Sequence, residues 1–185
     1  MKKIALVLIA IFVISAVSFA GDMAKSGSWG VQTSLGIASS PVMSTNSLGL
    51  KFWISDNMAI RAELGYLSYT PPIGDATSGY AIGGGFEYHM TPMGNLSPYV
   101  GIELGYGGGS VPGGGDTQSS FAVAGAWGAE YFFASNFSWA GEVQLGYLST
   151  SNVPYTDSNG LPALGTESYF GTGSATMTLS WYIGQ

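Results

Sequence analysis

The sequence predicts an all-β chain, an eight-stranded antiparallel up-and-down transmembrane β-barrel with its apolar face turned outward. Three observations carry that reading. Eight segments alternate apolar residues with polar or tiny ones at the period of a strand. Their shared apolar face holds more large side chains than a chain of 185 residues with so narrow a barrel encloses in a core. Beyond the N-terminus, no apolar run approaches the roughly 20 residues of a spanning helix, so a membrane crossing has to be made by strands.

The chain opens Met1-Lys2-Lys3, continues apolar from Ile4 to Val17, and then reads Ser18-Phe19-Ala20 before Gly21-Asp22. That predicts a secretory signal peptide over residues 1–20, cut after Ala20, and a barrel domain over residues 21–185. The absence of cysteine excludes both a lipid-modified cysteine and disulfides. Cutting 20 residues from 185 leaves 165, with 3 bases (Lys25, Lys51, Arg61) against 11 acids, a balance of −8. Three bases against eleven acids cannot neutralise a run of phosphates, which excludes nucleic acid as a partner. Charged residues make up 9% of the chain and aromatics 14%, a composition that suits membrane strands better than a disordered chain.

The first strand is expected over about Ser28 to Gly36, with Trp29, Val31, Thr33 and Leu35 on one face. A loop with Pro41 and Asn46 leads to the second, Ser47 to Ile54, which sends Leu48, Leu50, Phe52 and Ile54 outward and Lys51 and Trp53 inward. Ser55-Asp56-Asn57 reads as a tight turn. The third strand, Ile60 to Tyr69, sets Ile60, Ala62, Leu64 and Tyr66 against Arg61, Glu63 and Gly65, and leaves through Thr70-Pro71-Pro72. The fourth, Ser78 to Met90, alternates Tyr80, Ile82, Phe86 and Tyr88 with Ala81, Gly83, Gly85, Glu87 and His89.

After a short link, the fifth strand begins at Ser97-Pro98-Tyr99, where proline removes no ladder bond, and carries Glu103 inward. Gly107 to Thr117 is expected as a glycine-rich loop. The sixth strand, Gln118 to Phe132, puts Glu130 inward; after the tight turn Phe133 to Asn136, the seventh puts Glu142 and Gln144 inward. Thr150 to Thr166 is expected as the longest loop. The eighth strand, Glu167 to Tyr182, sends Tyr169, Ala175, Met177, Leu179 and Trp181 outward and Thr172, Ser174, Thr176, Thr178 and Ser180 inward. An even strand number leaves both ends on the short-turn side. Aromatics gather near the outward strand ends in Trp29, Tyr66, Tyr80, Tyr88, Tyr106, Tyr131, Trp139, Tyr147, Tyr169 and Trp181, the positions of interfacial girdles.

Three phrases, Ser97-Pro98-Tyr99-Val100-Gly101-Ile102-Glu103-Leu104-Gly105-Tyr106, Gly128-Ala129-Glu130-Tyr131-Phe132 and Gly141-Glu142-Val143-Gln144-Leu145-Gly146-Tyr147, resemble the small eight-stranded outer-membrane barrels of the OmpX and OmpA transmembrane-domain type. The resemblance covers the whole mature chain and implies a place in the outer membrane of a Gram-negative-type bacterium. It also implies contact with outer-membrane lipid, insertion by the barrel-assembly machinery and a monomeric state. These motifs mark a fold and name no activity. Such proteins end on an aromatic residue, whereas here Trp181-Tyr182 is followed by Ile183-Gly184-Gln185, which leaves two readings: an insertion signal shifted inward, or a truncated chain. No peptidoglycan-binding domain follows, so a tethering role is not implied.

Lys51, Arg61, Glu63, Glu87, Glu103, Glu130 and Glu142 are all expected to face the lumen, mostly in its periplasmic half. Pairing across the Ser55 to Asn57 turn sets Lys51 opposite Arg61, two like charges that need acids nearby, with Glu63 and Glu87 as the expected partners. An eight-stranded barrel is just wide enough for side chains to fill, so the expectation is an ion-pair plug; the alternative is a narrow ion path. The outer half is lined by Ser34, Gly65, Ala81, Gly83, Gly105, Ala122, Ala124 and Gly146, all small. Filling by Leu67, Tyr69 and Phe170 is expected there, with a vestibule for a small apolar or amphipathic ligand as the alternative.

No catalytic residues, cofactor or metal site are expected. The single histidine, His89, has no serine at a useful spacing, and the loop acids Asp75, Asp116 and Asp157 are scattered singly. The glycine runs fail as phosphate loops, since none precedes a helix or carries the required lysine. The reading is therefore a structural or surface-interaction role through the outer loops, with no extracellular partner identified. A channel or transporter working through the lumen is the second reading, and a secreted lipocalin-like barrel is the third.

Overall fold

In the computed structural model, which describes residues 25–38, 46–69, 77–110 and 117–183, eight strands close into one antiparallel barrel. They are β1 (Trp29–Ala38), β2 (Asn46–Ser55), β3 (Met58–Tyr69), β4 (Thr77–His89), β5 (Leu96–Ser110), β6 (Thr117–Ala134), β7 (Phe137–Thr156) and β8 (Pro162–Ile183). Each strand pairs with the next, and β8 returns to β1, from Ile183 opposite Trp29 to Ala175 opposite Ala38. The leader expected over residues 1–20 lies outside the described residues, as do Pro41, Thr70-Pro71-Pro72, Gly184 and Gln185.

The pleat sorts the side chains as period 2 demands. Leu48, Leu50, Leu64, Ile82, Ile102 and Leu104 stand exposed on the outside, while Trp53, Lys51, Glu87 and Glu130 on the opposite parity are buried. Among the described residues, no charged side chain lies in this outer apolar band. Both described ends meet the short turns: Gly27 N–H donates to the Trp53 carbonyl (2.8 Å), Ser26 N–H to the Asp56 carboxylate (3.1 Å), and Tyr182 N–H to the Asn136 carbonyl (2.8 Å).

Two expected loops are in part ladder, residues 111–116 of the first lying outside the described residues. Gly107, Gly108 and Gly109 continue β5, paired with Ala81, Tyr80 and Gly79 of β4. Most of the expected Thr150 to Thr166 loop is a hairpin that pairs down to Thr156 opposite Pro162. Its turn-like residues are absorbed by a bulge between Ser151 and Val153, where Asn152 takes a positive φ of 61°, a conformation asparagine tolerates.

A second bulge corrects the facing of upper β8. Val143 pairs with Ala175 but Leu145 pairs with Thr172, so β8 carries one extra residue and every side chain above it changes face. Tyr169 therefore pairs with the buried Leu148 on the lumen parity, while Phe170 and Thr172 share the outward parity of Tyr147 and Leu145. Phe170 is 71% exposed and does not fill the lumen; the side chains of Leu67, Tyr69 and Ser174 lie outside the described residues.

Candidate functional site

The lumen is occupied in layers from the short-turn end. The lowest is apolar: Trp53, Ala59, Phe132 and Tyr182 form one buried cluster, with the rings of Phe132 and Tyr182 stacked at 6.0 Å. Above it, Lys51 Nζ lies 2.5 Å from Glu87 and 2.8 Å from Glu130. Glu130 also accepts from the Tyr182 hydroxyl (2.6 Å) and from the Ser138 hydroxyl. The His89 ring spans Glu87 (3.0 Å) and Ser97 (2.9 Å) and packs on Trp53 at 4.4 Å.

The next layer centres on Arg61. Its two terminal nitrogens donate to Glu87 (2.9 Å) and Glu142 (2.8 Å), and it also pairs with Glu103. The Tyr99 hydroxyl donates to Glu142 (2.9 Å), and Gln144 donates to Glu103 (2.6 Å) and Glu142 (2.7 Å). Register explains the convergence: Arg61 is opposite Lys51 on one side and Gly85 on the other, and Gly85 is opposite Glu103. The small residue between them lets one guanidinium reach across two strands.

Six of the seven residues expected in the charge network, Lys51, Arg61, Glu87, Glu103, Glu130 and Glu142, thus lie in one cluster. Glu63 does not join it closely: its carboxylate is 3.9 Å from Arg61 Nε and takes its short hydrogen bond from the Ser47 hydroxyl (2.6 Å). Two bases face four acids in the plug, a formal balance of −2 with His89 neutral. The hydroxyl donors Tyr99, Tyr182 and Ser138 partly offset that excess, since carboxylates in a dry site need donors, while Ser97 bonds the His89 ring. Sequence reasoning did not single them out, although strand parity places Tyr99 with Glu103 and Tyr182 with Ser180.

Glu87, His89 and Glu130 present ligand atoms within 4.8 Å of one another, a grouping the sequence reading did not anticipate. Lys51 Nζ contacts both of these carboxylates, so the ammonium already sits where a cation would. Of the expected girdle, Trp29, Tyr66, Tyr80, Tyr88, Tyr106, Tyr131, Tyr147 and Trp181 are exposed on the outer parity, Trp139 is half-buried there, and Tyr169 follows the bulge to the other face.

Above the plug the lumen opens into a cavity of about 360 Å³, lined by Glu63, Gly65, Ala81, Gly83, Gly105, Gly107, Ser120, Ala122 and Leu148 among others. Of the residues expected to fill this space, Phe170 faces outward, and the side chains of Leu67 and Tyr69 lie outside the described residues.

The barrel fold has counterparts among solved structures. The N-terminal β-barrel domain of OprF from Pseudomonas aeruginosa is similar over 85% of this chain and 98% of its own, with a TM-score of 0.51 at 15% identity. The outer membrane protein AlkL, determined in DMPC lipid bilayers, is similar over 89% and 94%, with a TM-score of 0.55 at 14% identity. OprG from Pseudomonas aeruginosa, also an outer membrane protein, is similar over 91% and 100%, with a TM-score of 0.50 at 13% identity. The fold is that of the small eight-stranded outer-membrane barrels. No family model and no curated protein matches the sequence.

Proposed function

We propose that this chain is an integral β-barrel of the outer membrane, with a non-conducting lumen and a surface-interaction role carried by the β7–β8 hairpin. The hairpin carries the reading. β7 and β8 have 20 and 22 residues, against the roughly 9–11 of a tilted strand that crosses a bilayer. The roughly ten residues beyond that in each strand, at about 3.3 Å each and tilted by about 40°, carry the hairpin about 25 Å past the apolar band. Near its tip, Tyr155, Leu161 and Leu164 are exposed, so the hairpin offers apolar and aromatic contacts on the water side. The packed layers of Trp53, Phe132, Tyr182, Lys51 and Arg61 weigh against an ion path, and the exposed outer band weighs against a soluble, lipocalin-like barrel.

The test is to replace residues 152–165 by a two-residue turn in the full chain. The shortened protein is expected to fractionate with the outer membrane and to keep its gel-mobility change on boiling, while producing bacteria lose adhesion to cultured epithelial cells and to immobilised matrix protein. Unchanged adhesion would remove the hairpin from the role. Steady conductance of the wild type in planar bilayers would overturn the closed lumen.

A further inference from the structure

We propose that the outer half of the lumen is a binding site for a small organic ammonium, an amine on a short apolar body, with Glu63 as its anionic anchor. The proposal goes beyond the surface-interaction role and rests on the cavity alone.

The cavity volume of about 360 Å³ falls at the lower end of the roughly 300–1,000 Å³ of small-molecule pockets. Its wall on the β4–β5 side is nearly free of side chains: the inward pairs are Gly79 with Gly109, Ala81 with Gly107, and Gly83 with Gly105. A short alkyl body can lie directly on such a surface, with Leu148 and Ala122 completing the apolar contact.

One charged group reaches this space from among the described residues. The Glu63 side chain is 23% exposed, and its nearest base, Arg61 Nε, stays at 3.9 Å because the terminal nitrogens of that guanidinium are held by Glu87, Glu103 and Glu142. Below it, four plug acids outnumber two bases, and no described basic residue lines the cavity. The field in the vestibule is therefore negative, and low-dielectric walls strengthen it. An ammonium gains a charge-assisted hydrogen bond to Glu63; a carboxylate of the same shape is repelled; a neutral alcohol desolvates the acid without neutralising it. A lone carboxylate supplies too few oxygens for a divalent metal ion, which leaves an organic cation as the fitting ligand.

The experiment uses the full refolded barrel in detergent with ¹³C-methyl alanine, titrated separately with pentylammonium, pentanol and pentanoate. The methyl signals of Ala81 and Ala122 report on the cavity. Pentylammonium is expected to move both and to saturate with a Kd on the order of 1 mM, about tenfold tighter than pentanol, with pentanoate giving no saturable shift. Glu63→Gln is expected to reduce pentylammonium to the level of pentanol, and Ala122→Leu to abolish both responses. Equal responses to the three probes, or a Glu63→Gln barrel that still prefers pentylammonium, would overturn the proposal. If Glu63→Gln does not refold, the ranking of the three probes on the wild type decides alone.

Discussion

The side chain of Arg61 crosses over Gly85 of the neighbouring strand, so closely that a Cβ on that glycine would meet Arg61 Nε at 3.1 Å and Cγ at 3.2 Å. The same device recurs where Tyr99 lies over Gly128 and Tyr182 over Gly30, with ring atoms 2.7 Å from the added carbon. Each of these three lumen side chains has a glycine beside it on a neighbouring strand, and removing that space has to displace an anchored group. Gly85→Ala is accordingly expected to destabilise the barrel by about 1–3 kcal/mol, the usual cost of overpacking. Gly84→Ala is the control: it lies on the outward parity, its nearest neighbour is the Arg61 carbonyl oxygen at 3.5 Å, and a change within about 0.5 kcal/mol is expected. Urea midpoints of the two variants in lipid vesicles check this; equal midpoints would refute the displacement.

The plug is asymmetric in charge, and its substitutions should be too. Arg61 serves Glu87, Glu103 and Glu142 at once, so Arg61→Met strands buried carboxylates and is expected to cost about 3–5 kcal/mol. Glu103→Gln removes one of four acids while keeping an acceptor for Gln144 and supplying a new donor to its neighbours. Its effect on the unfolding midpoint is expected to fall within about 1 kcal/mol of zero. Finding the two substitutions equally damaging would mean that the acids are not in excess.

The alternation that makes a strand also decides which side it shows, and so the ring of eight strands and the inward set of Lys51, Arg61 and the glutamates were legible from spacing alone. What spacing does not carry is the position of a bulge. One extra residue between Ala175 and Thr172 moved Tyr169 and Phe170 to faces opposite to those expected; the glycines of Gly171-Thr172-Gly173-Ser174 permit a bulge but do not fix its position. Loop chemistry misled for a related reason: Asn152 and Pro154 read as breakers yet lie at and beside the β7 bulge, and the run Gly107-Gly108-Gly109 pairs with both β4 and β6 as ladder. Reach across the lumen was also hidden. The expected pairing of Glu63 with the bases gave way to Glu103, Glu130 and Glu142 from distant strands, since Arg61 extends away from its own strand over Gly85.

At the tip of the β7–β8 hairpin, Asp157 accepts hydrogen bonds from the backbone N–H groups of Leu161 (2.8 Å) and Asn159 (2.9 Å). The Leu161 bond first, and then that from Asn159, hold its carboxyl below the ordinary carboxylate value of 3.8. A depressed folded-state pKa contributes order that is present above the unfolded value and is lost as pH falls through the folded one. The turn is therefore expected to stay ordered from neutral pH down to about pH 4 and to loosen below it, while the barrel wall stays closed. Amide shifts of Asn159 and Leu161 report the change, and Asp157→Asn, which keeps an acceptor but no titrating proton, should remove the pH dependence. A turn whose shifts are flat to pH 2 would refute it.

Glu130 is fully buried, and one of its carboxylate oxygens accepts from both Tyr182 and Ser138 while the other faces Lys51. Two donors on one oxygen substitute for each other in part. Tyr182→Phe leaves the serine in place and Ser138→Ala leaves the tyrosine, so each alone is expected to cost about 1–2 kcal/mol. The double variant leaves that oxygen without a hydroxyl donor in a fully buried site, and the full desolvation cost of the charged group then appears. A double-mutant cycle is therefore expected to show the pair costing more than the sum of the singles by about 1–2 kcal/mol. Simple additivity would mean that the two hydroxyls act independently, with Lys51 alone satisfying the carboxylate.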